Sequence, residues 1–516
     1  MNRRDFLQFL GVSGVLANVP LCAREISQPL RWSVSQFLPP SLEDRLITAE
    51  GLSYRLLIKW GDPINALEKF GFNNDFISFH PLSLDRGLLW VNHETVSPMF
   101  INGPKRTKEN VDLEMKEVGG SILEIQKVNG SWEVNKNSKF NRRLDAMTEI
   151  PMAWKQPIAG AQVATGTMAN CAGGKTPWGT FLSCEENFEF FWGDVDRKNN
   201  RTPSHYMKWE TFYPRPPQHY GWVVEIEPLS GKAKKLISLG RFCHECAAVT
   251  KSKNGKAVVY SGDDGNNQHL YKFISDSSDS LEQGKLYVAN LEKGTWLSLD
   301  INDSAILKEN FKDQTEIQTY TREAAKLLGA TQLARPEDIE FDPLTGNVFI
   351  ALTNNTSTGN HYGSILKIAE DGNDPGSLTF KHDTFLTGGK EAGFACPDNM
   401  AFDKMGNLWF TTDIFGRDIN HGAYEGLGNN GLFVFLRSGA HAGEILRLAT
   451  APVDAEFTGP CFSPDYKTLF LSVQHPGEMS PDPKHLTSRW PLGDIPRSSV
   501  VTLEGPLLDK ITKGKM

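Results

Sequence analysis

The sequence predicts an all-β fold, a six-bladed β-propeller with inserted loops and short helices, and three observations support that expectation. Phe341 in PEDIEFDPLTGNVFIALTNN, Phe402 in PDNMAFDKMGNLWFTTD and Phe462 in TGPCFSPDYKTLFLSVQH occupy the same place in near-copies of one pattern, roughly 60 residues apart. A period of that size suits propeller blades, because one small sheet cannot bury both of its faces alone. Each copy reads as a short strand, a tight turn and a second strand of alternating or continuous apolar residues. Weaker copies lie upstream: DRGLLWVNHE ending at Glu94, WGTFLSCEE ending at Glu186, and NGKAVVYSGDD ending at Asp264, which brings the number of units to six.

In chain order, the N-terminus carries a transport address. Asn2-Arg3-Arg4-Asp5-Phe6-Leu7-Gln8 has the twin-arginine pattern, followed by an apolar stretch from Phe9 to Val19 and a small-residue cleavage site at Leu21-Cys22-Ala23. Residues 1–23 are therefore expected to be a twin-arginine signal peptide read by the export machinery, and residues 24–516 a single propeller domain in the periplasm or outside the cell. No other apolar run is long enough to span a bilayer as a helix. The net charge of −8 and the lack of a Lys/Arg cluster argue against a nucleic-acid partner. Seven cysteines in 516 residues are too few for a disulfide framework, and Cys243-His244-Glu245-Cys246 is a single CxxC without the second that a structural zinc site would need.

Polar residues punctuate corresponding places in the units. First strands begin at Asn170-Cys171, His244-Glu245, Glu337-Asp338 and Asp398-Asn399. Second strands end at His93-Glu94, Glu185-Glu186, Asp263-Asp264, Asn354-Asn355, Asp413 and Gln474-His475. The innermost strands of a propeller line one channel, so the starts of several first strands can converge on one mouth. Asp and Asn are common turn residues on their own. Glu and Cys are poor turn formers, and their recurrence points to a lined site. Carboxylates crowded at strand ends repel one another unless a cation neutralises them. The Cys171 thiolate beside them suits a transition metal softer than calcium.

The stretches NHE (92–94), NCAGGKTPWGTFLSCEEN (170–187), HYGWVVEIEP (219–228), LGRFCHE (239–245), YSGDD (260–264), RPEDIEFDPLTG (335–346), LTNN (352–355) and TGPCFSPDYKTLFLSVQHPGE (458–478) resemble the PhoX-type alkaline phosphatases of bacteria. The resemblance implies an exported phosphomonoesterase with Fe3+ and Ca2+ in the propeller mouth, acting as a monomer on a small phosphate ester. It implies Cys171 as the iron thiolate ligand, Glu245 and Glu337 as metal-binding or bridging carboxylates, and Arg335 as the anchor of the substrate phosphate. Glu185 and Glu186 of CEEN, with Glu94, Asp263 and Asp398, are the further metal ligands it suggests. Cys171, Arg335 and Glu337 form the expected catalytic set. The cysteines flanking His244-Glu245, together with Cys396 and Cys461, are not features of the motif.

A phosphate monoester needs positive charge at its equatorial oxygens and a nucleophile potent at ambient pH. Arg335 offers a planar fork for two phosphate oxygens. Its place immediately before Pro336 biases it to extended backbone that could aim it into the channel. The alternative for Arg335 is a structural salt bridge to a neighbouring carboxylate. Two other functions compete: a calcium-dependent lactonase or esterase on a six-bladed scaffold, and a non-catalytic propeller that binds another protein. The thiol and the arginine speak against the first, and the gathered carboxylates against the second.

Overall fold

Among the described residues, six sheets of four or five strands form a radial array, with three two-stranded ribbons beside them. The computed structural model describes residues 37–103, 105–204 and 206–516, and the expected signal peptide and its boundary at residue 24 lie outside them. The described residues fall in one compact unit. The first two strands of the blades are Asn74–Ser83 and Arg86–His93 in blade 1, Asn170–Lys175 and Phe181–Glu185 in blade 2, and Ala248–Lys251 and Ala257–Gly262 in blade 3. They are Pro336–Phe341 and Val348–Leu352 in blade 4, Pro397–Phe402 and Leu408–Thr412 in blade 5, and Glu456–Phe462 and Leu469–Gln474 in blade 6. These are the six units of the sequence repeat. Blade 6 takes its outermost strand, Ser53–Lys59, from the N-terminal side, paired with Ser499–Glu504. That pairing ties the N-terminal and C-terminal parts of the propeller together in one blade.

Second strands read as continuous apolar runs because both of their faces are covered. Leu408–Thr412 and Phe181–Glu185 are buried at every position. The wedges between blades are packed with large side chains. Trp409 and Leu432 of blade 5 meet Leu469 and Leu471 of blade 6, and Leu182 and Val223 of blade 2 meet Val259 and Phe273 of blade 3. Each innermost strand also touches the innermost strands of both neighbours, so the ring closes from blade 6 back to blade 1. A cavity of about 520 Å³ between these strands, lined by Phe76, Asp338, Asn399 and Cys461 among others, is part of the central channel.

The first hairpin of every blade is antiparallel, so the start of its first strand and the end of its second lie side by side. The pairs are Asn74↔His93, Asn170↔Glu185, His244↔Asp263, Pro336↔Leu352, Pro397↔Thr412 and Glu456↔Gln474. Both sets of polar residues noted in the sequence therefore share one end of the channel. The long connections that follow the second strands also start there, among them the segment holding the helices Pro98–Ile101 and Lys108–Glu117, and the one that opens with the helix Glu189–Trp192.

Candidate metal centre

One local device recurs at this mouth and aims the side chains. Near its start the first strand of five blades carries one residue more than its partner, a β-bulge between Asn74 and Ile77, Asn170 and Gly173, Pro336 and Ile339, Pro397 and Met400, and, two residues further along its strand, Thr458 and Cys461. Blade 3 has the same offset between His244↔Asp263 and Ala248↔Tyr260. Bulges bend a strand and redirect a side chain, and they gather next to functional sites. The first bulged residue is Asp75, Cys171, Glu245, Glu337, Asp398 and Gly459 in blades 1 to 6 respectively. Five of the six can bind a metal.

A second tier follows from the same geometry. The carbonyl of the residue before the first strand accepts a hydrogen bond from the residue that follows the second. Glu94 N–H donates to Asn73 at 3.1 Å, Glu186 to Ala169 at 2.8 Å, Asp264 to Cys243 at 3.0 Å, Thr353 to Arg335 at 3.1 Å and Asp413 to Cys396 at 2.9 Å. In four blades the accepting residue has a left-handed backbone, with φ of 41° at Asn73, 53° at Ala169, 51° at Arg335 and 53° at Cys396. The extended backbone expected for Arg335 ahead of Pro336 is thus not adopted. The pre-proline bias yields to the hydrogen bond that closes the hairpin and to the bulge beyond it. Strain of this kind, roughly 1–3 kcal/mol per residue, persists where the surroundings over-determine the backbone, and it clusters at functional sites.

The two tiers bring the acids together. Asp75, Glu94 and Cys171 form one group whose ligand atoms lie within 4.8 Å of one another; Cys171, Glu186 and Glu245 form a second, and Glu245, Glu337 and Asp398 a third. Cys171 belongs to the first two and Glu245 to the last two, so the groups run as a continuous row. The Cys171 thiol donates to Glu245 Oε1 at 3.3 Å. Gln474 of blade 6 donates to Glu94 Oε2 at 2.7 Å, and Asn187 to Glu186 Oε2 at 2.7 Å. Glu245, Glu337, Asp398, Glu186 and Asp75 are buried. Asp75 Oδ1 and Glu245 Oε2 are buried without a hydrogen-bond partner among the described residues.

That concentration of carboxylates is electrostatically unfavourable as it stands. Burial and the neighbouring Glu94 push the Asp75 carboxyl well above its ordinary range, and burial with Glu337 and Asp398 does the same to Glu245. Glu186 and Asp398 are raised well above theirs by burial and by adjacent acids. Burial pushes Glu337 up to about 8 in spite of Arg335 beside it. The Cys171 thiol is held well above its usual value by burial and by the charges of Asp75 and Glu245. Among the described residues, Arg335 pairs with Asp264, Glu337 and Asp413 and His475 with Glu456, too few positive charges to balance the gathered acids. Multivalent cations can, and they hold carboxylates and a thiolate deprotonated. The orphaned oxygens and the mixed oxygen and sulfur donor set fit bound metal ions.

The remaining residues expected from the sequence lie elsewhere. Glu185 accepts from Lys235 Nζ at 2.6 Å and from the Gly221 and Trp222 amides, and both partners of that ion pair are fully buried. Asp263 accepts from Arg322 Nε at 2.8 Å. Neither belongs to the three groups. Asp75, Asp264, Asp413, Glu456 and His475 enter the mouth without having been singled out as site residues. Asp75 was legible: Asn74-Asp75 stands in register with Asn170-Cys171 and Pro397-Asp398. The histidines of the NHE and CHE stretches support the frame. His93 bonds Ser121 Oγ and the Phe72 carbonyl, and His244 bonds Ser261 Oγ and the Gly240 carbonyl, so both ring nitrogens of each are occupied. Burial lowers His244 to about 3. Asn92 donates to the carbonyls of Cys171 at 2.6 Å and Ala172 at 2.8 Å, bracing the bulge that presents the thiol.

Gly173-Gly174 brings blade 3 close enough for Glu245 to reach Cys171. A Cβ on Gly174 would sit 2.0 Å from the Ala247 carbonyl oxygen. The Ala247 amide donates to Gly173 across the blades at 3.0 Å. Gly174→Ala should therefore separate the two strands, costing about 1–3 kcal/mol by overpacking, and should reduce bound metal. Denaturant midpoints and elemental analysis of the same preparations check both effects.

The alkaline phosphatase PhoX family matches residues 35–477. The chain is similar to the solved structure of Pseudomonas fluorescens PhoX in complex with vanadate, a transition state analogue, at 30% identity and a TM-score of 0.82, over 92% of this chain and 98% of that one. A protein of unknown function from Dyadobacter fermentans (10% identity, TM-score 0.43, 88% of this chain and 100% of that one) and the periplasmic gluconolactonase of Pseudomonas aeruginosa (10% identity, TM-score 0.33, 68% and 71%) are far less similar. No curated protein matches the chain.

Proposed function

Because the chain belongs to the alkaline phosphatase PhoX family and is a phosphatase, we propose that it hydrolyses phosphate monoesters outside the cytoplasm at an iron and calcium cluster in the propeller mouth. The observation that carries this reading is the continuous row of three metal-capable groups joined through Cys171 and Glu245, with Arg335 at its edge. Cys171 is the thiolate for iron, with Glu186 and Glu245 grouped beside it and Glu337 joined to that group through Glu245. Asp75, Glu94 and Asp398 suit calcium, which takes oxygen ligands in flexible geometry. Glu185 and Asp263 act at one remove, by fixing Lys235 and Arg322 in the wall. When bound, ferric iron supplies Lewis acidity toward phosphoryl oxygen and makes water a nucleophile at ambient pH.

The chain's own contribution is to bind and orient the ester. Arg335 sets a permanent positive charge against the phosphate dianion. Its ion pair with Asp264, at 2.9 Å, does not exclude that role, because Nη1 makes no hydrogen bond among the described residues. A calcium-dependent lactonase has no use for the thiol and the guanidinium. The twin-arginine stretch supports export of the folded, metal-loaded protein.

Metal-loaded protein purified from an exporting host should hydrolyse p-nitrophenyl phosphate, contain iron and calcium together, and be inhibited by vanadate. Colourless active protein holding calcium alone would sink the iron reading. Metal-replete protein inactive on every monoester tried would sink the phosphomonoesterase reading.

A further inference from the structure

The guanidinium of Arg335 is held on one edge before any substrate arrives. Its Nε lies 2.9 Å from Asp264 Oδ1 and its Nη2 2.9 Å from Asp264 Oδ2, a side-on bidentate pair. Nη2 is also 2.7 Å from Glu337 Oε1, whereas Nη1 is 3.6 Å from Asp413 Oδ2. Nε and Nη2 are therefore committed, and Nη1 is the nitrogen left to face a ligand. The expectation of a free fork for two phosphate oxygens gives way to a grip through Nη1.

Asp264 is itself fixed. Its amide donates to the Cys243 carbonyl at 3.0 Å, and the preceding Asp263 is pinned by Arg322. Arg335 starts from a backbone φ of 51°, two residues from Glu337 and within reach of Asp413. A guanidinium in that position, if freed, would pair fully with the metal-binding carboxylates. It would then be lost to the substrate and would compete with the cations. Resting on the reading of Arg335 as the phosphate anchor, we propose that Asp264 is a positioning residue: it locks the Nε–Nη2 edge of Arg335 and so presents Nη1 to the phosphate.

A double-mutant cycle on the full-length, metal-loaded protein tests this, with Asp264→Asn, Arg335→Ala and the pair, read by inorganic phosphate inhibition and by KM and kcat on p-nitrophenyl phosphate. Asp264→Asn loses one of two charge-assisted hydrogen bonds, so the inhibition constant and KM should rise about tenfold with kcat less affected. Because Asp264 acts through Arg335, adding Asp264→Asn to Arg335→Ala should change phosphate inhibition by less than about twofold. A penalty from Asp264→Asn that persists undiminished in the Arg335→Ala background overturns the inference, as does an inert Asp264→Asn beside an impaired Arg335→Ala. An Arg335→Ala protein with normal phosphate affinity overturns the anchor reading itself, and the inference with it. If Asp264→Asn does not fold, Asp264→Glu keeps the charge but displaces the carboxylate by one methylene, and the same cycle is run with it.

Discussion

Glu245→Gln should leave the mature protein unable to retain its full metal complement and lower phosphatase efficiency by at least roughly a hundredfold, since Lewis-acid stabilisation is worth several kcal/mol and each tenfold in rate about 1.4 kcal/mol. Glu245 stands where the second and third groups join. Its loss therefore affects both, whereas loss of Glu94 or Asp398 affects one. The amide preserves size and keeps an acceptor but removes the negative charge that makes a carboxylate a strong ligand. Cys171→Ser acts at the other junction and has a spectroscopic signature. A ferric thiolate bond gives visible charge-transfer absorption, which the serine variant should lose together with its iron. Elemental analysis and the visible spectrum of both variants, compared with wild-type protein, check this. Unchanged iron and unchanged colour in Cys171→Ser would remove the thiol from the centre.

Metal removal should be felt by the fold as well as by the chemistry. Asp75, Cys171, Glu245, Glu337 and Asp398 lie on the innermost strands or their continuations in five blades, and Glu186 follows the second strand of blade 2. Ions held by them would tie blades together at the mouth, where the buried carboxylates otherwise repel one another. The strained residues ahead of the first strands are part of the same arrangement. Their carbonyls each accept a hydrogen bond from the end of the second strand, and the Asn92 side chain braces the Cys171 bulge, so main chain and side chain together position the ligands.

The sequence made the blades legible because each first hairpin repeats its turn chemistry. Asp342 and Asp403 cap their turns by accepting from the amides of Leu344 and Met405, ahead of Gly346 and Gly406 with φ of 74° and 77°. Those residues are visible as FDPLTG and FDKMG. The bulges were not legible, because a bulge exists only in the pairing of two strands and has no composition of its own. That is why Cys171 and Glu337 could be named as site residues while the reason they face the channel could not. In blade 1 the repeat shows in the sequence only from its second strand, Arg86–His93, which leaves Asp75 on the preceding strand outside the marked pattern. The choice of Asp263 over Asp264 turned on one residue. Successive side chains of an extended chain point to opposite sides; Asp263 meets Arg322 in the wall and Asp264 meets Arg335 at the mouth. Arg335 itself illustrates how a local rule fails. Preceding a proline predicts extended backbone, but the carbonyl bonded to Thr353 and the bulge at Glu337 impose a φ of 51°.

Arg335→Ala should lower phosphatase efficiency by at least about tenfold while leaving the metal content intact. A charge-assisted hydrogen bond is worth roughly 1.5–3 kcal/mol, and one lost from Nη1 to a phosphate oxygen already accounts for a factor of ten at about 1.4 kcal/mol per decade. Arginine has no lone pair to offer a metal, so its removal takes nothing from the ligand set. Arg335→Lys separates charge from shape. An ammonium restores the positive charge but cannot satisfy both Asp264 oxygens side-on while keeping a nitrogen turned to the substrate. With Asp264 and Glu337 both at hand, it should settle on the acids and recover little of the loss. Efficiency on p-nitrophenyl phosphate, measured beside elemental analysis of the same samples, decides among the outcomes. Full activity in a metal-replete Arg335→Ala protein would remove the residue from phosphoryl transfer. Metal lost along with activity would make Arg335 a counter-ion of the carboxylates, and its bidentate pair with Asp264 a structural salt bridge.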